Sequence, residues 1–510
     1  MSSSRKLSAA ETKALLTQLR ADPAVAYAQV DRIKYALATT PNDPNFNLQW
    51  DYTASTGGIK APAAWATSTG EGVVVAVLDT GYLEHSDLVS NIIPGYDFVS
   101  YYGQTMDGEQ YPDVAGDGDG RDDDARDPGD WIDEGMSEWC SGSPETSTWH
   151  GTHVAGTVAA VANNGKNIAG VAYNAKVQPV RVLGHCGGTT SDIADAITWP
   201  SGGTVAGIPA NPTPAEVINM SLGGPGACSE DPATQEAIDG AIRRGVTVVV
   251  AAGNDNDDVA NYSPASCKGV IAVGATGIDG AKSWFSNYGV GVTVSAPGGN
   301  ATKGSDPDNR WIWSLGNTGK KQPESDSLMG MIGTSQASPH VAAVAALMQS
   351  AAVAAGMQPL TPAQIRQVLQ STARPFPVKP SASTPMGPGI IDAAAAVAAA
   401  AKAQPNEEAV VLANRQPTVQ AILAGGDSVL YSVMVPEGTA SLNLRTFGGT
   451  GNVSLYVSRN EIPSSEAFER SSTKGGNVET VVYTRPLPGT YYLRVVAEQP
   501  SQNVSVMATY

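Results

Sequence analysis

Three short segments carry residue types that together could activate a hydroxyl: AVLDTG with Asp79, STWHGTHVAGT with His150 and GTSQASPHVAA with Ser335. A serine hydroxyl is a weak nucleophile at neutral pH, so it needs a base to take its proton and a carboxylate to orient that base and stabilise the imidazolium. Asp79 closes an apolar strand-like run, which suits the orienting carboxylate. His150 opens a helix of small residues that would hold its ring on a rigid element. Ser335 comes just before the helical run ASPHVAAVAALM, where backbone N–H groups at a helix start favour developing negative charge. Asn254, in AAGND at another strand end, would add a side-chain donor for an oxyanion. The remaining histidines, His85, His153, His185 and His340, are read as packed structural side chains. A second chemical feature is acidic: residues 107–134 hold twelve Asp or Glu against two Arg. Within it AGDGDGRDDDARDPGD is not an EF-hand, because Arg121 and Asp122 fall where a ligand and the turn glycine belong. Its Gly/Asp alternation reads as a calcium loop using Asp117, Asp119, Asp122 and Asp127 with the carbonyl of Arg121.

The elements that must position these groups follow from apolar runs of strand length: VVVAVLD ending at Asp79, VQPVRVL at Leu183, VINMSLGG at Gly224, VTVVVAAGN at Asn254 and GVIAVGAT at Thr276. Continuous apolar runs of this kind read as parallel strands buried on both faces. Helical segments at Ser191–Trp199 and Pro232–Arg244 lie between them, so the alternation predicts an α/β fold, a doubly wound parallel sheet with helices on both faces. Ligands of such a sheet collect at the carboxyl ends of the strands, where all the candidate groups lie. After an Ala-rich helix at Ile391–Ala403 and a polar linker the pattern changes. VLYSVMV, SLNLRTF, NVSLYVS, VETVVYT, TYYLRVVA and VSVMATY alternate with period two, which predicts a C-terminal all-β sandwich. The divisions expected are 1–38, 39–403 and 404–510.

The composition narrows the function classes. With 510 residues, 42% apolar and 16% charged, the chain reads as a globular protein of two or three domains. A formal net charge of −18 gives no basic footprint for nucleic acid or an anionic membrane. No run of 18 apolar residues is present, so a soluble chain is expected. Four cysteines outside any CxxC spacing suit two disulfides and an oxidising compartment. The start MSSSRKLSAAETKALL has no apolar signal core, so a secreted protein whose targeting segment has been removed is expected.

Asp-Thr-Gly, His-Gly-Thr-His and Gly-Thr-Ser, in that chain order, resemble the subtilisin-like serine proteases over roughly residues 40–400. Other enzymes with the same triad arrange it in a different order. The resemblance implies a serine endopeptidase acting on polypeptides through an acyl-enzyme, as a calcium-stabilised monomer. It implies that Ser221, Leu222 and Gly223 form one wall of the primary specificity pocket, facing Ala251, Ala252, Gly253 and the Tyr262–Ala265 segment, with apolar or aromatic residues favoured before the cleaved bond. A structural calcium site is implied from Gln49, Asp87 and the turn VANNGKN, through Asn163 or Asn164. Where the family commonly has Met after the nucleophile this chain has Gln336, which removes a thioether open to oxidation. Of three possible disulfide layouts, Cys140–Cys186 and Cys228–Cys267 are expected. Cys140 precedes the histidine helix and Cys186 follows the neighbouring strand, while Cys228 and Cys267 each follow a segment lining the pocket. ADPAVAYAQVDRIKYAL resembles the end of an inhibitor-like propeptide, so the chain's own propeptide is an expected partner, released by a cut between Tyr35 and Pro41. The C-terminal strands resemble the bacterial pre-peptidase C-terminal domain. The rival reading is a catalytically silent binding or adhesion protein, and the complete set Asp79, His150, Ser335 and Asn254 favours the enzyme.

Overall fold

The computed structural model describes residues 40–510 apart from 104, 107–108, 111, 141–142, 403–408, 437, 460–461 and 466–467. The chain divides into a unit of residues 1–40 and a unit from Pro41 to Tyr510. The propeptide-like segment and most of the expected cleavage window lie outside the described residues, as does the linker at 404.

The central sheet has seven strands: β1 (Val74–Asp79), β2 (Tyr96–Asp97), β3 (Lys176–Arg181), β4 (Val217–Met220), β5 (Thr247–Ala251), β6 (Ile271–Thr276) and β7 (Val294–Pro297). They pair in parallel in the order β7-β6-β5-β4-β1-β3-β2. Every residue of β1, β4, β5, β6 and β7 is buried, which is why these strands read as unbroken apolar runs. Two apolar clusters flank the sheet. One holds Val75, Val77 and Val249 with the helices α1 (His150–Ala159) and α4 (Thr334–Ala354); the other holds Ala76, Leu78 and Val248 with α2 (Thr190–Thr198) and α3 (Pro232–Arg243). Adjacent positions of one strand thus go to opposite layers, as a doubly wound sheet requires. α4 is long and apolar enough to cross a membrane, but most of it is buried inside the protein.

α1 is built for close approach. A Cβ on Gly151 would lie 2.1 Å from the Gly81 carbonyl oxygen, and one on Gly156 2.5 Å from Ser314 Oγ. The glycines therefore let the start of α1 settle against the turn that follows Asp79. An antiparallel hairpin, β8 (Ile312–Asn317) and β9 (Asp326–Met331), covers the other side of α1 and leads directly into α4.

Beyond residue 409 eight strands form one sheet, joined by the last and longest, Gly489–Thr509. This strand pairs with Ser428–Val435 through its first part and with Thr418–Leu423 and Ser441–Phe447 through its second. Period-two burial gathers Tyr431, Leu442, Leu444, Leu455 and Leu493 into a third apolar cluster.

Candidate active site

Asp79 is the last residue of β1 and is fully buried. Its Oδ1 accepts hydrogen bonds from the Thr80 backbone N–H and from His150 Nδ1, both at 2.8 Å. His150 is the first residue of α1, and its side chain is 21% exposed, so one ring edge is tied inward while the other faces the cleft. Burial disfavours the imidazolium. The charge and hydrogen bond of Asp79, with Asp130 and Asp127 beyond, outweigh that and hold the His150 pKa above its ordinary value.

Asp127 lies under this pair. Its Oδ2 accepts the Thr80 hydroxyl at 2.6 Å, and Thr80 Oγ1 in turn accepts the Gly151 N–H at 3.0 Å, so a buried carboxylate is connected through one threonine to the start of α1. Burial, then the charge of Asp130, push Asp127 up to about 7. Asp130 accepts both the Thr148 N–H and the Thr148 hydroxyl at 2.6 Å, fixing the residue two before His150.

Ser335 occupies the first turn of α4, and its hydroxyl donates to the Ser221 carbonyl at 3.1 Å. The side chain of Asn254 is held by its oxygen: Oδ1 accepts the Thr334 N–H at 2.8 Å and the Thr334 hydroxyl at 2.9 Å. This commits the oxygen and leaves the amide NH2 as the outward donor. Thr334 is fully buried and also accepts the Gly253 N–H at 3.0 Å, so it joins the end of β5 to the start of α4. The motif GTS put Thr334 in plain view, but nothing in the sequence says which strand end it reaches.

A cleft between the ends of β4 and β5 is lined by Ser221, Leu222 and Gly223 from the one strand end and Ala251, Ala252, Gly253 and Asn254 from the other, with Tyr262, Ser263, Ala265 and Ser335 also in its lining. Ser221 differs in detail from the expected wall residue. Its hydroxyl turns inward to the Ser335 carbonyl at 2.7 Å and to Ser338 Oγ at 2.9 Å, so its side chain anchors α4 while its backbone borders the cleft. Gln336 is buried, and its Nε2 lies 3.6 Å from Met331 Sδ, so a thioether stands beside the site despite the substitution. The other histidines are all engaged: His85 with the Ser327 carbonyl, His153 with those of Ile312 and Met329, His185 with that of Trp131 and His340 with Gln336 and Asp51.

Among the described residues no three His, Cys, Asp or Glu converge as a metal-binding group. In the acidic loop Asp117 pairs with Arg181 at 2.6 Å, and the Arg121 guanidinium spans Asp192 and Asp195 at 2.6 and 2.7 Å. Asp122 accepts the Asp124 N–H at 2.8 Å, Asp119 is exposed and Asp127 is the group beneath His150. Among the described residues, Asp117 is the one carboxylate of those that sequence reading assigned to calcium that pairs with an arginine, Arg181 of β3, while Arg121 spends its guanidinium on α2. The Gln49 amide engages the Ala169 backbone, accepting at 3.0 Å and donating at 2.7 Å. Asp43, which the sequence reading passed over, lies against the turn VANNGKN. The Asn163 N–H donates to Asp43 at 2.8 Å, while Asn164 donates from its backbone to Asp43 at 3.2 Å and from its side chain to Asp87 at 2.6 Å. Two buried carboxylates bridged by one asparagine suit a hard cation such as calcium. Cys140 is bonded to Cys186 and Cys228 to Cys267.

Comparison with known proteins agrees with this geometry. Residues 70–414 match the subtilase family and residues 427–497 the bacterial pre-peptidase C-terminal domain. The chain belongs to the subtilase family and is a subtilisin-like serine protease. It is 46% identical to an extracellular protease of Xanthomonas campestris pv. campestris, over 99% of this chain and 82% of that one. It is 44% identical to an extracellular basic protease of Dichelobacter nodosus, covering 76% of this chain and 60% of the relative. Among solved structures, a protease of Pseudoalteromonas arctica superposes with a TM-score of 0.65 at 54% identity, covering 71% of this chain and all of that one.

Proposed function

We propose that the chain is a secreted serine endopeptidase in which Ser335 attacks the peptide carbonyl, His150 takes its proton and Asp79 orients and stabilises the imidazolium. The observation carrying this reading is the 2.8 Å bond from His150 Nδ1 to the buried Asp79. That bond assigns a proton to Nδ1 and leaves Nε2 as a base toward the cleft. Rotation of Ser335 about χ1 exchanges its bond to the Ser221 carbonyl for one to Nε2. The oxyanion that forms is met by the Asn254 NH2 and by the Ser335 N–H at the start of α4. His150 then returns the proton to the leaving amine, and water resolves the acyl-enzyme by the same route.

Substrate lies as an extended strand along Ser221–Gly223, where backbone pairing supplies affinity. The small walls at Ala251, Ala252 and Gly253 leave room for an apolar or aromatic side chain before the cleaved bond. Calcium would be held by Asp43, Asp87 and Asn164, where it would join the segment around residue 43 to the turn at 163–167. The names of the relatives support export, and the two disulfides suit an oxidising compartment. The 1–38, 39–403 and 404–510 division, a monomeric state and self-removal of the propeptide-like segment complete the reading.

Ser335→Ala tests it. Triad members act as a unit, so casein hydrolysis should fall by about three or more orders of magnitude, leaving only binding and oxyanion stabilisation. Near-normal hydrolysis by the purified variant would overturn the assignment.

A further inference from the structure

A groove continues from the cleft past His150, and its lining sorts by chemistry. Leu183, Ile193 and Leu222 make one part apolar, Asp231 is committed to the Thr234 N–H and the Ser263 hydroxyl, and Thr80, Asp130 and Thr148 border the histidine. No Lys or Arg is among its lining residues. Asp130 is held as an acceptor from behind by the two Thr148 bonds, and among the described residues it has no basic partner. It stands apart from Asp97, Asp117, Asp124, Asp192 and Asp195, each of which is paired with an arginine. A partly exposed, pre-oriented carboxylate facing a substrate groove without a counter-ion is a site for a cation that arrives with the substrate.

The position of that cation follows from strand geometry. In an extended peptide successive side chains point to opposite faces. The side chain before the cleaved bond enters the cleft between Ser221–Gly223 and Ala251–Gly253, so the preceding residue turns toward His150 and Asp130. We propose that Asp130 is a specificity-determining residue that selects Lys or Arg two residues before the cleaved bond. This inference rests on the protease reading and adds to it the substrate class at a second position.

The test compares kcat/KM for three peptides that differ only at that position, carrying Lys, norleucine or Glu, on the wild-type protein. A partly exposed ion pair corresponds to about a fivefold preference for Lys over norleucine, with Glu disfavoured. The preference should shrink in about 0.5 M salt, where screening shortens the range of the interaction. Asp130→Asn should bring Lys and norleucine to parity, and Asp130→Glu should retain part of the preference. Should Asp130→Asn fold poorly, the salt titration of the wild type decides: a Lys preference that vanishes with salt supports the inference, and one that is absent at low salt overturns it. A Lys preference surviving in folded Asp130→Asn would also overturn it. Hydrolysis of none of the peptides would overturn the protease reading and this inference together, whereas equal hydrolysis of all three would overturn the inference alone.

Discussion

At the scale of single residues, two further carboxylates, Asp127 and Asp130, stand with Asp79 around His150 and raise its pKa. Asp79, His150, Ser335 and Asn254 each lie inside a short motif at a strand end or helix start, so residue type and position point the same way. Asp127 shows what is lost. Read in sequence it is one more carboxylate in an acidic run; in the structure it is buried against Thr80 and is one of the charges that raise His150. This has a kinetic consequence. The proposed mechanism needs neutral His150, so a raised pKa moves the acid limb of the rate profile to higher pH. Asp127→Asn removes one raising charge, and the acid limb of kcat/KM should move to lower pH. Peptide hydrolysis across pH 5 to 9 checks this, and an unmoved limb would show that Asp127 acts only through packing.

At the scale of elements, the strands were readable because burial on both faces writes an uninterrupted apolar run, and the helix starts because small residues mark them. Register and approach distance were not readable. That α1 begins within contact of the turn after Asp79 depends on Gly151, whose missing side chain is explained only by the Gly81 carbonyl opposite. Gly151→Ala therefore forces α1 outward or strains it, at a cost of about 1–3 kcal/mol by the scale of overpacked sites. It should also lower kcat more than it raises KM, since it separates His150 from Asp79. Thermal melts with steady-state kinetics test both halves, and an unchanged kcat in a destabilised protein would detach the helix start from catalysis. The second internal support of this kind is the buried His340–Asp51 pair at 2.8 Å, which ties α4 to the segment at residue 51. Its members are 289 positions apart, which no local pattern can reveal.

At the scale of the whole molecule, composition suggested a cation wherever acidic residues cluster, and the structure divides that expectation. In the loop between β2 and α1 Asp117 and Asp124 are paired with arginines, whereas Asp43 and Asp87, from distant parts of the chain, are bridged by Asn164. A cluster along the chain and a cluster in space are different things, and the calcium proposed above rests on the second. Removing calcium from a site that exists only in the folded state should lower stability by RT ln(1 + [L]/Kd), about 2.7 kcal/mol when calcium is at a hundred times Kd. The melting temperature of Ser335→Ala protein, which cannot digest itself, should fall in EDTA, and Asp43→Ala should abolish that response. An identical melt with and without chelator would remove calcium from the account. Incubating the intact protein with a fluorophosphonate and mapping the modified peptide asks whether Ser335 is an activated nucleophile. Near-stoichiometric labelling on Ser335, abolished in His150→Ala, is expected, whereas absence of label or modification at another serine would show that it is not.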